Sequence, residues 1–249
     1  MKELKAEILK VDTLTSYTKK SMYKLFSNYY EKVSFSLFSK DLINKHYIIA
    51  LYDLNQKIRG FSTIEICSFT YENETINAIF SGDTIINNKY WGNRALPYAF
   101  GYFAGKLKAI NPNKKLFWFL IAKGHRTYRF LPAYAKSYFP NIEENNYLNL
   151  KEILVSLAKN KFPNNYNLEK NLIQYNESQG QLAIKWEGEK EKTLKNKYSK
   201  YFYELNPNYQ MGEELACIAE LKKTNLKSTV LRGFTNGTSC TLGDDFKIS

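Results

Sequence analysis

Between Tyr17 and Tyr30 the apolar and aromatic positions recur at helical spacing, with cap candidates at Asp12 to Thr15 ahead of them, and predict a first helix. Tyr47 to Asp53 and Gly60 to Tyr71 are rich in Ile, Phe, Thr and Tyr and read as strands joined by a hairpin loop at Leu54 to Lys57. A second break at Glu72 to Glu74 leads into Ile76 to Ile86, giving three antiparallel strands in succession. The third strand carries Gly82 in its interior, which marks a bulge or a close approach to the backbone.

A helical face then follows, formed by Leu96, Ala99, Phe100, Phe103, Leu107 and Ile110. Pro97 fits only a first turn, so this helix starts near Asn93 to Leu96, and Gly101 and Gly105 are expected to let it lie close on the sheet. Leu116 to Ala122 is a continuous apolar run of strand length, the pattern of a strand covered on both faces. Strand, loop, helix and strand make a crossover unit, so residues 76–86 and 116–122 are predicted to be parallel neighbours. Leu131 to Pro140 reads as a short helix.

Beyond Asn145 the chain alternates helical and strand-like stretches: Leu150 to Lys161, Leu182 to Trp186, a charged helix near residues 190–205, and Leu215 to Leu221. The expected organisation is a core over residues 1–145, an extension over 146–225 whose helices form a flap and whose strands complete the sheet, and a loose Gly-, Thr- and Ser-rich tail over 226–249. The fold class is mixed α/β.

Charge narrows the partners. The 249 residues carry 36 Lys and Arg against 24 Asp and Glu, a formal net charge of +12, so nucleic acid, phosphorylated cofactors and acidic carrier proteins are the natural candidates. The lysines are spread along the chain rather than interleaved with aromatics in one patch, which argues against nucleic acid. His46, His125, Cys67, Cys217 and Cys240 have neither metal-ligand spacing nor the density of a disulfide framework. No apolar run approaches the roughly 20 residues of a membrane helix, and a reduced, cytoplasmic protein with no membrane span is expected.

Between the third strand and the helix lies Lys89-Tyr90-Trp91-Gly92-Asn93-Arg94-Ala95, a glycine-bearing loop that points backbone N–H groups and a helix dipole at one spot, as a pyrophosphate requires. Arg94 adds a planar cation. Further on stands Ala133-Tyr134-Ala135-Lys136-Ser137-Tyr138-Phe139. The order of elements with these two segments resembles the GNAT superfamily of N-acyltransferases. In that family a bulged strand leads through Arg/Gln-x-x-Gly-x-Gly/Ala into the cofactor helix, and a later helix carries Leu-Tyr-x-Lys-x-Gly-Phe. Gly92 matches the inner glycine, while Tyr134, Lys136 and Phe139 fall in register; Lys89, Arg94 and Tyr138 depart from the patterns. The likeness spans residues 15–140.

The resemblance implies a mostly antiparallel sheet with a splayed parallel pair at its centre, and an acyl thioester of coenzyme A or of an acyl carrier protein as donor. The acyl group, short or fatty, would pass to an amine of a peptide or amino acid. Thr84, Ile85, Ile86, Trp91, Gly92, Asn93, Arg94 and Ala95 would line the donor, with Arg126 as a further anion contact. Asp83 beside the bulge is the candidate base for deprotonating the amine, the bulge N–H groups the candidate oxyanion donors, and Tyr134 the candidate acid for the leaving thiolate. His125, just past the strand 116–122 where open α/β sheets bind ligands, is a further candidate. The alternative is a non-catalytic protein of the same fold that binds a thioester or an anionic partner without turnover.

Overall fold

In a computed structural model, residues 3–143, 148–186 and 193–239 are described. Eight strands form one sheet in the order β1-β3-β4-β5-β6-β10-β8-β7: β1 Lys5–Lys10, β3 Tyr47–Tyr52, β4 Ile58–Tyr71, β5 Glu74–Ile86, β6 Leu116–Ala122, β7 Tyr166–Asn167, β8 Leu172–Ile173 and β10 Glu214–Glu220. Only β5 and β6 are parallel; every other neighbouring pair is antiparallel. The mixed sheet with its central parallel pair is therefore present. A separate two-stranded ribbon joins β2 Tyr30–Glu31 to β9 Gln181–Leu182.

Local chemistry sets the element ends. Thr15 caps α1 Ser16–Phe26 by accepting from the Thr18 N–H, and Ser34 caps α2 Phe35–Ile43 by accepting from the Leu37 N–H. The predicted first helix thus stops at Phe26, and α2 and β1 are elements that the periodicity did not announce. Glu72 and Asn73 both take left-handed φ values, 47° and 64°, which turns the β4–β5 hairpin in two residues.

The crossover helix α3 Ala95–Ile110 packs Leu96, Ala99, Phe100, Phe103, Ala104 and Leu107 against Leu116, Trp118, Leu120 and Ala122 of β6. Ile110, expected on that face, is exposed. Gly101 and Gly105 do not face the sheet. They meet α8 Ser228–Ser239, which carries its own glycines at 233 and 237. A Cβ on Gly101 would stand 2.2 Å from the Val230 carbonyl oxygen, and one on Gly233 would stand 2.1 Å from that of Tyr98. Residues 228–239, expected as part of a loose tail, are thereby a packed helix, because small residues one turn apart on both helices let the backbones touch. Residues 240–249, including Cys240, lie outside the described residues.

The opposite sheet face is covered by two separate groups. Helices α1 and α2 pack on Ile48, Ala50, Phe61 and Ile85, while α6 Leu148–Lys161 packs Ile153, Leu154, Leu157 and Ala158 on Ala78, Phe117 and Phe119. The expected helix after β6 is shorter than predicted: α4 His125–Tyr128 and α5 Phe130–Tyr134 end it at Tyr134, and Phe139 instead bridges to Ile218. The strand-like Leu182 to Trp186 reduces to β9 and one 3-10 turn beside β2, away from the main sheet. The charged helix is α7 Lys197–Leu205, and β10 inserts beside β6, so the later half of the chain builds three of the eight strands. Among the described residues no helix is long and apolar enough to cross a membrane.

Candidate active site

The β5–β6 ladder pairs Asn77 with Leu116 and ends at Ser81 with Leu120. At that point β5 carries one extra residue against β4: Ile64 opposes Ser81 and Ser62 opposes Thr84. This is the bulge expected at Gly82. A Cβ there would lie 2.6 Å from Thr63 Oγ1 and 3.1 Å from Lys45 Cε, so only glycine fits without moving its neighbours. Beyond Ser81, β5 runs on to Ile86 paired only with β4, and its β6-facing edge carries no strand among the described residues. Thr84, Ile85 and Ile86 sit on that stretch; the Thr84 hydroxyl is 2.8 Å from that of Ser62, and Ile85 is buried against α1 and α2.

Asp83 projects from the bulge into a cavity of about 460 Å³ between the two core groups on the α1, α2 and α6 face. Its carboxyl has no hydrogen bond or ion pair among the described residues. Burial pushes its pKa up to about 7, reinforced by Asp41 and Glu214 and opposed by Lys123 and Lys45. A carboxyl of this kind is ionised in a large fraction of molecules at neutral pH and is a far stronger base than an ordinary aspartate.

Around it stand matched charges. Lys45 Nζ lies 2.9 Å from Asp41 and 3.7 Å from Glu65, and Lys161 Nζ lies 2.6 Å from Glu65. Lys123 Nζ lies 3.5 Å from Glu214 and donates to the Gln179 carbonyl at 2.7 Å. Burial raises the Glu214 pKa, and Lys123 acts against that rise. The Thr63 hydroxyl opposite Gly82 is buried without a partner. None of these residues is marked in the sequence as part of a site. Only the i,i+4 spacing of Asp41 and Lys45 was a readable signal, and nothing local connects them to residues 161 and 214.

The loop between β5 and α3 gathers the expected donor residues. Gly92 takes a φ of 83° with open space where a Cβ would stand, and Asn93 Oδ1 accepts from the Ala95 N–H at 2.8 Å. Pro97 has no N–H, and the backbone N–H groups of Gly92, Arg94 and Leu96 have no partner among the described residues. Arg94 is exposed beside them. Donors without a partner among the described residues at a helix N-terminus, with an exposed arginine beside them, have the chemistry that suits an anion. Trp91 bonds the Ile86 carbonyl through its indole N–H, 2.8 Å, and Arg126 stacks over the Trp91 ring at 4.5 Å while donating to the Trp186 carbonyl. Arg126 thus spans from α4 to the β5–α3 loop.

Tyr134 and His125 lie outside the cavity lining. Tyr134 stacks on Trp118 with ring centroids 5.3 Å apart, and Trp118 in turn donates to the Ser81 hydroxyl at 2.8 Å. Its phenol is buried with no hydrogen-bond partner, and burial holds its pKa well above the ordinary phenol value. Tyr134 therefore sits behind the end of the parallel ladder, on the α3 side. His125 is buried under α7, its Nδ1 3.0 Å from the Ser199 hydroxyl and its ring against Tyr203. The structure brings Asp83 to the cavity and Arg126 to the loop of Trp91 to Ala95; it brings His125 to neither.

No family model matches the chain, and neither does any curated protein. Solved structures overlap about half of it. A probable N-acyltransferase from Enterococcus faecalis is 13% identical over 53% of this chain and 33% of that one, with a TM-score of 0.39. The present chain thus spans about a third of that protein's length. The GNAT family N-acetyltransferase YhbS from Escherichia coli, in complex with CoA, is 12% identical over 51% of this chain and 68% of that one, TM-score 0.35. Glucosamine-6-phosphate N-acetyltransferase from Arabidopsis thaliana is 14% identical over 47% and 81%, TM-score 0.35.

Proposed function

We propose that the protein is a GNAT-type N-acyltransferase that moves an acyl group from a coenzyme A or carrier-protein thioester to an amine. The observation that carries this reading is the coincidence of three features at one level of the sheet. The parallel ladder ends at Ser81, the bulge begins at Gly82, and Asp83, with a pKa near 7, faces the cavity.

An extended thioester arm pairs with the open edge of β5 beyond Ser81, as a peptide strand adds to a sheet edge. Its phosphates meet the N–H groups of Gly92, Arg94 and Leu96. A bulge N–H donates to the thioester carbonyl oxygen, a contact worth roughly 2.7–4 kcal/mol in the transition state. The acceptor amine enters from the cavity and gives its proton to Asp83. The amine nitrogen then attacks the carbonyl carbon, the C–S bond breaks as the thiolate takes a proton from Tyr134, and the second proton shed by the nitrogen restores the phenol while Asp83 returns its proton to solvent. An amide and a free thiol result.

A second reading, thioester binding without turnover, draws on one observation. The Tyr134 phenol is sealed against Trp118 and outside the cavity, and its raised pKa makes it a weak acid towards a thiolate. Thiol release from acyl-CoA and acyl-carrier-protein donors of increasing chain length, in the presence of an amine panel, separates the two. Amine-dependent release with a matching mass increase on the amine supports transfer. Donor binding with no release under any pairing overturns it.

A further inference from the structure

The charges lining the cavity cancel except at one place. Lys45 and Lys161 share Asp41 and Glu65, and Lys123 is matched by Glu214. All three ammonium groups also lie over aromatic rings, Lys45 at 5.3 Å and Lys161 at 4.4 Å from the Phe80 centroid, and Lys123 at 5.7 Å from that of Tyr30. They are held down against the walls. Asp83 is the carboxylate left over.

The uncharged remainder of the wall is led by the rings of Phe26, Phe38, Phe162 and Tyr175, with Asn44, Thr84, Thr127 and Gln179 as its neutral polar groups. At about 460 Å³ the cavity is in the range that encloses a small molecule or one large side chain. We infer that it selects an acceptor carrying a single amine on an apolar body, with no carboxylate beside that amine. The inference rests on the acyltransferase reading for its word acceptor, and on the cavity alone for its chemistry.

The alternatives fail on charge. A free amino acid would bring a carboxylate into a partly dehydrated space in which every cation already has an anion, and desolvating it without a matching partner is unfavourable. A polyamine would bring second and third ammonium groups with one unmatched carboxylate to receive them. A monoamine satisfies Asp83 and covers the rings. Two sources share this chemistry: a free arylalkyl or alkyl amine, and the terminal amine of a peptide that starts with a large apolar residue.

Titration calorimetry of the full chain at pH 7.5, with no thioester present, tests the inference with four probes: 2-phenylethylamine, phenylalanine amide, phenylalanine and spermidine. At least one of the first two is expected to bind tenfold or more tightly than both phenylalanine and spermidine. Asp83→Asn, shown folded by its melting transition, is expected to weaken that binding at least tenfold. Preference for phenylethylamine points to the free amine, and preference for the amide to the peptide terminus. Equal or tighter binding of phenylalanine or spermidine, no binding of any probe, or binding indifferent to Asp83→Asn overturns it. Because no donor is present, amine binding without thiol release fails only the transferase reading, and thiol release with the wrong amine preference fails only this one.

Discussion

The two faces of the sheet are built on opposite terms. On one, α3 lies on β6 and α8 lies on α3 so closely that backbone meets backbone, and the space is filled by Leu, Phe, Ala and Gly. On the other, α1 with α2 and α6 cover the sheet as two separate groups, and the space between them holds seven acidic and basic side chains around a cavity. Close packing leaves no room for chemistry and fixes the frame. The unfilled seam between two partial cores is where polar groups sit dehydrated enough to shift a carboxyl to near neutrality.

The comparison breaks first at Asp83. Asp83→Asn is expected to lower the acyl-transfer rate by about 10²–10⁴-fold, the usual contribution of a positioned base. In the wild type, kcat/KM should rise with pH through about 7 as the carboxyl loses its proton, and steady-state profiles of the variant should lack that limb. An unchanged profile removes Asp83 from the reaction.

On the packed face the largest effect belongs to the glycines. Gly233→Ala gains up to about 1 kcal/mol in helix propensity. Its Cβ, however, would fall 2.1 Å from a backbone carbonyl oxygen, so the helices must part. A net loss of about 1–3 kcal/mol or more is expected in urea unfolding, and a gain would mean that α8 does not rest on α3 as described.

The open face gives the opposite sign. A folded-state pKa raised from 3.8 to about 7 means that the native protein holds this proton more tightly than the unfolded chain. The ionisation of Asp83 therefore erodes stability as pH rises from about 4 to 7, and the penalty stays constant above that. Asp83→Asn should raise Tm, by a margin that widens across this window and is level beyond it. A margin independent of pH would show that the carboxyl is not perturbed.

The smallest effect sharpens the boundary between the faces. Tyr134→Phe deletes a buried hydroxyl with no partner, so stability should hold or improve by about 1 kcal/mol. If the phenol protonates the thiolate, turnover falls while KM for the donor does not. An unaltered kcat assigns Tyr134 to packing alone.

Much of the frame was legible because its signals are local. The break at Glu72 to Glu74, the N-terminal Pro97 and the unbroken run from Leu116 to Ala122 each point to one local geometry, the interior Gly82 to a bulge or a close approach, and together they outline the crossover and the parallel pair. Asp83 was legible as the carboxylate adjoining the bulge. The partners of Gly101 and Gly105 were not, although the same four-residue glycine spacing recurs at 233 and 237, because a single stripe of small residues names no partner. Nor were Lys45, Glu65, Lys161 and Glu214, which meet only after α2, β4, α6 and β10 have been arranged around the sheet. His125 was read from its place beyond β6, and burial under Ser199 and Tyr203 withdrew it from view.

The glycine contact between α3 and α8 also fixes an order of assembly. α3 is made before α8, and the helix that seals its outer surface emerges only after the whole intervening chain, β10 included. Until then the bare stripe of α3 has nothing to rest on. A chain that stalls before residue 228 would present the β5–α3 loop on a helix packed on the sheet alone, and tags or fusions placed on α8 would reach that loop through this contact.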